Sequence, residues 1–208
     1  VTERPMSERA VSPRTEATRR KLFAATLKLA DSRGLVGITV DEIAAAAGVA
    51  KGTVYYNFGS KDALVDALLR YGVDLLATRL HDCAAEPDPV VGLESLVDAT
   101  LDFISRYPGF SQILVSELWR TPGQWHETLT LLREEIIVII KQQLWRIEEA
   151  GRLPAGVQVP VAAAGLFGTL LVVALDWQVF QPERTRAEVR DSVMLLARGL
   201  ARQLPEEE

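Results

Sequence analysis

Residues 39–61 read TVDEIAAAAGVAKGTVYYNFGSK, and this stretch decides the architecture of the N-terminal quarter. Thr39 with Glu42 three residues on forms a capping box, which starts a helix. Gly48 ends that helix after two turns, because glycine readily enters the left-handed conformation that stops it. Gly48-Val49-Ala50 then leads into a second short helix over 51–57. Two short helices crossing steeply at a glycine turn make a helix-turn-helix. Ile43, Ala44, Ala47, Val49, Val54 and Phe58 supply a small core, and the alanine run permits close helix approach. The outer face of the second helix then carries Lys51, Gly52, Thr53, Tyr55 or Tyr56, and Asn57. A cation, hydroxyls, an amide and an aromatic ring are the groups that meet phosphates and base edges. Gly52 has no side chain, so its backbone can approach a groove closely. Lys61 stands at the start of the next helix, where free N–H groups already favour an anion.

Outward from this stretch, helical signals recur and strand signals do not. Ser12-Pro13 opens a basic helix with Leu22, Phe23, Thr26, Leu27 and Ala30 on one side, and Gly34 stops it. Ser60 caps a long fourth helix with a stripe from Leu64 to Leu80 that includes Leu75. Pro87 and Pro89 bracket an acidic linker before a fifth helix with Leu93, Leu96, Val97, Thr100, Leu101 and Ile104 inward. Tyr107-Pro108-Gly109 breaks it, and a shorter helix carries Phe110, Ile113, Leu114 and Leu118. Thr121-Pro122 opens a long helix ending at Gly151. Its run Ile136-Ile137-Val138-Ile139-Ile140 has strand composition, but flanks without turn residues favour a helix. The last two helices fall within 160–180 and 183–203, the second with Val189, Val193, Leu196, Ala197, Leu200 and Leu204 inward. The expected fold is all-α with about nine helices: a disordered basic tail over 1–13, a three-helix helix-turn-helix domain over 14–61, and a larger helical bundle over 62–208 for ligand binding and dimerisation.

Composition narrows the function. The chain has 208 residues, 48% of them hydrophobic and 25% charged, enough apolar matter for a packed core. The single cysteine, Cys83, excludes an internal disulfide and a multi-cysteine metal site, and His81 and His126 are too few for a histidine cage. No metal and no cofactor is expected. The N-terminal stretch has no continuous apolar run, so no signal peptide is expected and a cytoplasmic location follows. Residues 157–175 are uncharged, yet Gln158 and Pro160 leave only about 16 apolar residues, short of a membrane span. A helix buried on all sides, in a core or a subunit interface, is the better reading, with no membrane partner. Ala164 and Gly168 have the spacing of close helix contact, which serves either plain packing or a dimer interface. The net charge of −5 argues against nucleic acid until it is divided. Residues 1–62 hold ten Lys/Arg and seven Asp/Glu, or +3; the remainder holds 13 and 21, or −8.

The 39–61 stretch resembles the helix-turn-helix of TetR-type transcriptional repressors. Thr39, Ile43-Ala44, Ala47-Gly48-Val49, Gly52-Thr53-Val54-Tyr55, Phe58 and Lys61 all fall in that family's register, and the resemblance covers about residues 15–65. It implies a homodimer on double-stranded DNA, each subunit placing the 51–57 helix in a major groove, with half-sites about one helical turn apart. It further implies that Thr39, Tyr56 and Lys61 grip phosphates, and that Lys51, Gly52, Thr53, Tyr55 and Asn57 lie on or near base edges. Tyr55 also suits packing between helices. The position of Asn57 often holds histidine in the family, which leaves the target of its amide open. An N-terminal arm is implied as well, with Arg4, Arg9, Arg14, Arg19 and Arg20 as its cations.

The second part of the chain is rich in aromatic residues, which allow an apolar pocket between helices. Phe103, Phe110, Trp119, Trp125, His126, Trp145, Phe167 and Trp177 are its candidate lining, with Phe180 near by in sequence and Glu117, Gln142, Gln143 and Asp176 as polar groups. The resemblance implies a small lipophilic or aromatic effector that releases a palindromic operator. Dimerisation would use the helices within 160–180 and 183–203. An enzyme is not expected: no nucleophile–base set or metal spacing is present, and 48–53 lacks the spacing of a phosphate loop. A non-catalytic binding or interaction protein without specific DNA binding is the alternative.

Overall fold

The computed structural model describes residues 12–35, 37–118 and 126–199. Among these there are nine α-helices and no strands, as the periodicity predicts. The expected tail over 1–13 falls outside the described residues up to Val11. The same holds for Thr121-Pro122 and for Leu200 and Leu204. The described residues form two compact units that part between Ala67 and Leu68, within α4 (Lys61–Ala84).

The first unit holds α1 (Pro13–Arg33), α2 (Val40–Ala47), α3 (Lys51–Phe58) and the start of α4. Its boundaries are local capping chemistry. The Ser12 hydroxyl accepts from the Thr15 N–H, and Pro13 occupies the first turn of α1. Thr39 and Glu42 close the capping box on α2, and Gly48 ends it at φ 67° and ψ 36°. The Ser60 hydroxyl accepts from the Ala63 N–H at the start of α4. Leu22, Ile43, Val54 and Leu64 are fully buried between these helices. The Phe23 and Phe58 rings meet at 5.5 Å, and the Arg19 guanidinium lies over Phe58 at 4.8 Å.

The second unit is built from the rest of α4 with α5 (Pro89–Arg106), α6 (Pro108–Leu118), α7 (His126–Glu149), α8 (Val159–Phe180) and α9 (Arg186–Gly199). The 136–140 run lies inside α7, so the strand-like composition is overridden by its helical flanks. Two details of the 87–89 linker and the 107–109 break differ from a plain loop. Asp88 caps α5 by accepting from the Val90 and Val91 N–H groups, and Pro108 itself opens α6. The C-terminal end of α4 is tied by Arg146, which donates to the carbonyls of Ala84, Glu86 and Pro87. Arg146 also donates to the Gln143 amide oxygen, and the fully buried Gln143 donates to the Pro89 carbonyl. Gln143 is thereby a structural strut rather than a ligand group. Helix α9 is fastened to α5 by charge: Arg186 binds Asp98 and Asp102, and Asp102 also accepts Arg79 and Arg106.

One expectation is corrected here. Leu196 is 60% exposed, not inward; Val189, Val193 and Met194 form the buried edge of α9. For helix α8, expected to be buried in a core or a subunit interface, 28% of the apolar window is buried within its own chain, so the chain's core alone does not cover it. Val161, Val172, Val179 and Phe180 stand open, and a Cβ added at Gly165 or Gly168 would meet nothing within 4 Å. Helix α8 is long and apolar enough to cross a membrane. Beside it, Val161, Leu153, Leu195 and Leu196 line an apolar groove of about 730 Å3.

The Asp88 carboxylate also accepts both contacts of the Arg152 guanidinium, at 2.8 and 2.9 Å. That guanidinium, followed by the Val90 N–H, holds its carboxyl below the usual carboxylate value. A lowered folded pKa contributes stability that is complete above the unfolded value of about 3.9 and is lost as pH falls through the folded value. Asp88→Asn keeps a good capping group and removes the charge. It is expected to flatten the acid limb of stability in urea titrations as pH falls below about 4. An unchanged limb would show that the pair contributes nothing.

Candidate nucleic-acid interface

Helix α3 begins at Ala50 with no side-chain cap and no acidic residue in its first turn, so its amide end is open to an anion. Around that end the structure places the eight residues singled out by sequence differently. Tyr56 is 87% exposed and Tyr55 45% exposed; Lys51 and Gly52 are exposed beside them. These four form the open face of α3. Tyr55 is therefore not a core residue, and Val54 takes that place.

Gly52 is informative by what it does not touch. A Cβ added there meets nothing within 4 Å. Gly52 is the second residue of α3, where glycine is a poorer helix former than alanine, and none of the described residues crowds the missing side chain.

Thr53 and Asn57 are half-buried. The Asn57 amide nitrogen donates to the Thr53 carbonyl at 2.8 Å, within its own helix, and its amide oxygen is buried without a hydrogen-bond partner. Thr39 is exposed, and its hydroxyl donates to the Glu42 carboxylate at 2.9 Å. Lys61 is half-buried and donates to the Leu35 carbonyl at 2.8 Å and to the Ile38 carbonyl at 2.7 Å. Two of its three N–H groups thus clamp the connection between α1 and α2. Lys51 donates to the Asp41 carboxylate at 2.8 Å. That hydrogen bond and the Asp41 charge raise the ammonium's pKa above its ordinary value. Sequence reasoning missed both partnerships. Asp41 is ten positions from Lys51, and the Leu35 and Ile38 carbonyls leave no trace in residue identity.

In the second unit, Phe103, Phe110 and Phe167 line a narrow apolar cavity of about 40 Å3 with Leu129, Ile140 and Leu170. The Phe103 and Phe110 rings meet edge-on at 5.5 Å. Ser111 faces the cavity, 1% exposed, and its hydroxyl has no hydrogen-bond partner. Arg133 also lines it, with its guanidinium 5.9 Å from the Phe167 ring. Among the described residues, the tryptophan candidates Trp145 and Trp177 do not join them. Trp145 is 44% exposed on α7, and the Trp177 indole donates to the Arg184 carbonyl at 2.9 Å. Trp119 and Trp125 lie outside the described residues, and His126 opens α7. Asp176 accepts from Gln181 at 2.7 Å, and Gln142 is exposed. Among the described residues no group of three metal-ligating side chains comes together.

Comparison with known proteins agrees with this geometry. Residues 22–68 match the family model of bacterial regulatory proteins, tetR family. The chain is 27% identical over 187 residues to the HTH-type transcriptional regulator SrpR of Pseudomonas putida, covering 87% of this chain and 84% of that one. Among solved structures, the fatty acid degradation regulator FadR of Bacillus halodurans superposes with a TM-score of 0.82 at 20% identity, over 94% of this chain and all of that one. FadR of Bacillus subtilis, in complex with stearoyl-CoA, superposes with a TM-score of 0.77 at 19% identity, over 86% and 98%. These two share the fold.

Proposed function

We propose that this chain, which belongs to the TetR-type transcriptional regulators, is a cytoplasmic repressor that binds a palindromic operator as a homodimer and leaves it when a lipophilic effector binds. The observation that carries the DNA reading is the open face of α3. Lys51, Gly52, Tyr55 and Tyr56 are exposed at an uncapped helix end, and Gly52 stands in the first turn without any contact of its own that calls for glycine. A duplex lying against the backbone at Gly52 supplies the reason. Tyr56, Thr39 and Lys61 serve phosphates; Lys51, Thr53 and Tyr55 serve base edges, and the Asn57 amide must leave the Thr53 carbonyl and turn outward to join them. A phosphate that recruits Thr39 must take its hydroxyl proton from Glu42.

The dimer reading rests on α8 and α9. An open apolar stripe with two uncontacted glycines, next to an apolar groove, suits a second copy of the same helices. The effector reading rests on the cavity. At about 40 Å3 it is far below the ~300 Å3 of an ordinary ligand site. An effector of ordinary size then acts by favouring an expanded conformer whose paired recognition helices no longer match the half-site spacing. Apolar walls, one unpaired hydroxyl and a cation at Arg133 suit an acyl-type ligand with a polar or anionic end. The complex of Bacillus subtilis FadR with stearoyl-CoA is a precedent in the same fold.

Gly52→Ala tests the DNA reading. The variant is expected to be more stable by about 0.5–1 kcal/mol, because alanine favours the helix, and to bind a palindromic duplex from the gene's own neighbourhood more weakly. Thermal melts and titrations with fluorescent DNA read the two effects. Unchanged DNA affinity in the stabilised variant would remove α3 from the DNA surface.

A further inference from the structure

We propose that Asp41 is a specificity determinant of DNA binding: it holds the Lys51 ammonium away from the phosphate backbone, so that arbitrary sequences bind poorly. The inference rests on the DNA-binding reading above.

Lys51 is the first residue of α3, where the helix dipole disfavours a cation. Its ammonium is drawn instead to the Asp41 carboxylate at 2.8 Å, across the turn between α2 and α3. Asp41 is not needed as a cap. Thr39 and Glu42 already close the N-terminus of α2 with a complete capping box. Both partners remain half or more exposed, at 51% and 65% of their side chains, so the pair is open to exchange with a competing ligand. The carboxylate thus stands at the edge of the face that meets DNA.

On an arbitrary duplex the nearest partner for Lys51 is a phosphate, and Asp41 opposes that contact twice. It competes for the ammonium, and its own charge is repelled by the backbone. On a matching sequence the outcome differs. A lysine ammonium donates to the O6 and N7 of guanine in the major groove, and an aspartate accepts from the N4 of cytosine. The pair presents a donor and an acceptor side by side, which is the complement of a G·C edge. The same carboxylate that penalises phosphate therefore costs little at the right base pair.

The test measures Asp41→Asn, Lys51→Ala and the double variant against a palindromic operator and a random duplex across a salt series. Asp41→Asn is expected to bind the random duplex roughly three- to tenfold more tightly, with a salt slope steeper by about 0.9, the value for one added phosphate contact. The operator-to-random ratio should fall. In the Lys51→Ala background the same change should give little gain. Equal gains in both backgrounds would mean simple long-range repulsion and overturn the proposal. So would an unchanged random-duplex affinity and slope in a variant with the parent's melting temperature. If the parent chain binds no duplex at all, the DNA-binding reading falls and this inference with it.

Discussion

Gly72→Ala is expected to lower unfolding stability by about 3 kcal/mol, the upper end of the range for an overpacked core. The Phe110 ring lies directly on the backbone of α4 at this glycine. An added Cβ would come within 2.2 Å of one ring carbon and 2.6 Å of another. Phe110 is 1% exposed and is also held edge-on by Phe103, so its ring can yield only toward the narrow cavity that it lines. Urea denaturation of the single variant measures the loss. Phe110→Leu in the Gly72→Ala background should recover part of it, because the smaller side chain removes the clash. The two changes should then be non-additive by about 0.5–3 kcal/mol. Parent-like stability of Gly72→Ala would mean that the ring does not seat on α4.

Lys61→Met should destabilise the chain by about 1–3 kcal/mol, the cost of leaving buried acceptors without a donor. Methionine retains the aliphatic stem and removes only the ammonium, so packing is largely preserved. The Leu35 and Ile38 carbonyls lose their shared donor, and the connection that leads into the Thr39 cap loosens. DNA affinity should fall for two reasons, and salt separates them. Loss of a phosphate contact reduces the slope of log affinity against log salt by about 0.9. Loss of the clamp lowers the melting temperature. Both are expected. A lower melting temperature with an unchanged slope would take Lys61 off the phosphates, and a changed slope with an unchanged melting temperature would dismiss the clamp.

Much of the chain's architecture was legible because its helix ends are set by local chemistry. Ser12 with Pro13, Thr39 with Glu42, Gly48 and Ser60 each act within four residues, and the structure uses every one of them. The face that a helix buries is a weaker signal. On α9, the 3–4 spacing of Val189 and Val193 continues to Leu196, whereas Met194 lies about 100° round the helix from Val193. Only tertiary packing chooses, and it buries Met194 at 4% and leaves Leu196 open. Helix α8 is ambiguous for a related reason. Apolar residues all round suit a helix buried on every side, and its own chain covers only part of it.

The candidate interface was legible in its residue types and not in its partnerships. Spacing put Lys51, Gly52 and Tyr56 on one surface. It did not show that Lys51 is engaged by Asp41, or that Lys61 is turned toward two carbonyls. Long cationic side chains reach several ångströms in many directions, so their partners are set by the folded backbone. The aromatic residues divide in the same way. Three phenylalanines converge on the cavity, while Trp145 and Trp177 share their composition but not their direction.

The open stripe of α8 has a consequence for the chain's synthesis. Domains fold as they emerge from the ribosome, N-terminal parts first. Helix α8 emerges late, as 22 residues apolar enough for a lipid bilayer, and its covering neighbour α9 begins only six residues after it ends. A truncated product that stops at residue 180 would present that segment without α9, as a substrate for chaperones, proteases or membranes. A premature stop there would thus do more than delete one helix: it would turn a regulator into a sticky fragment.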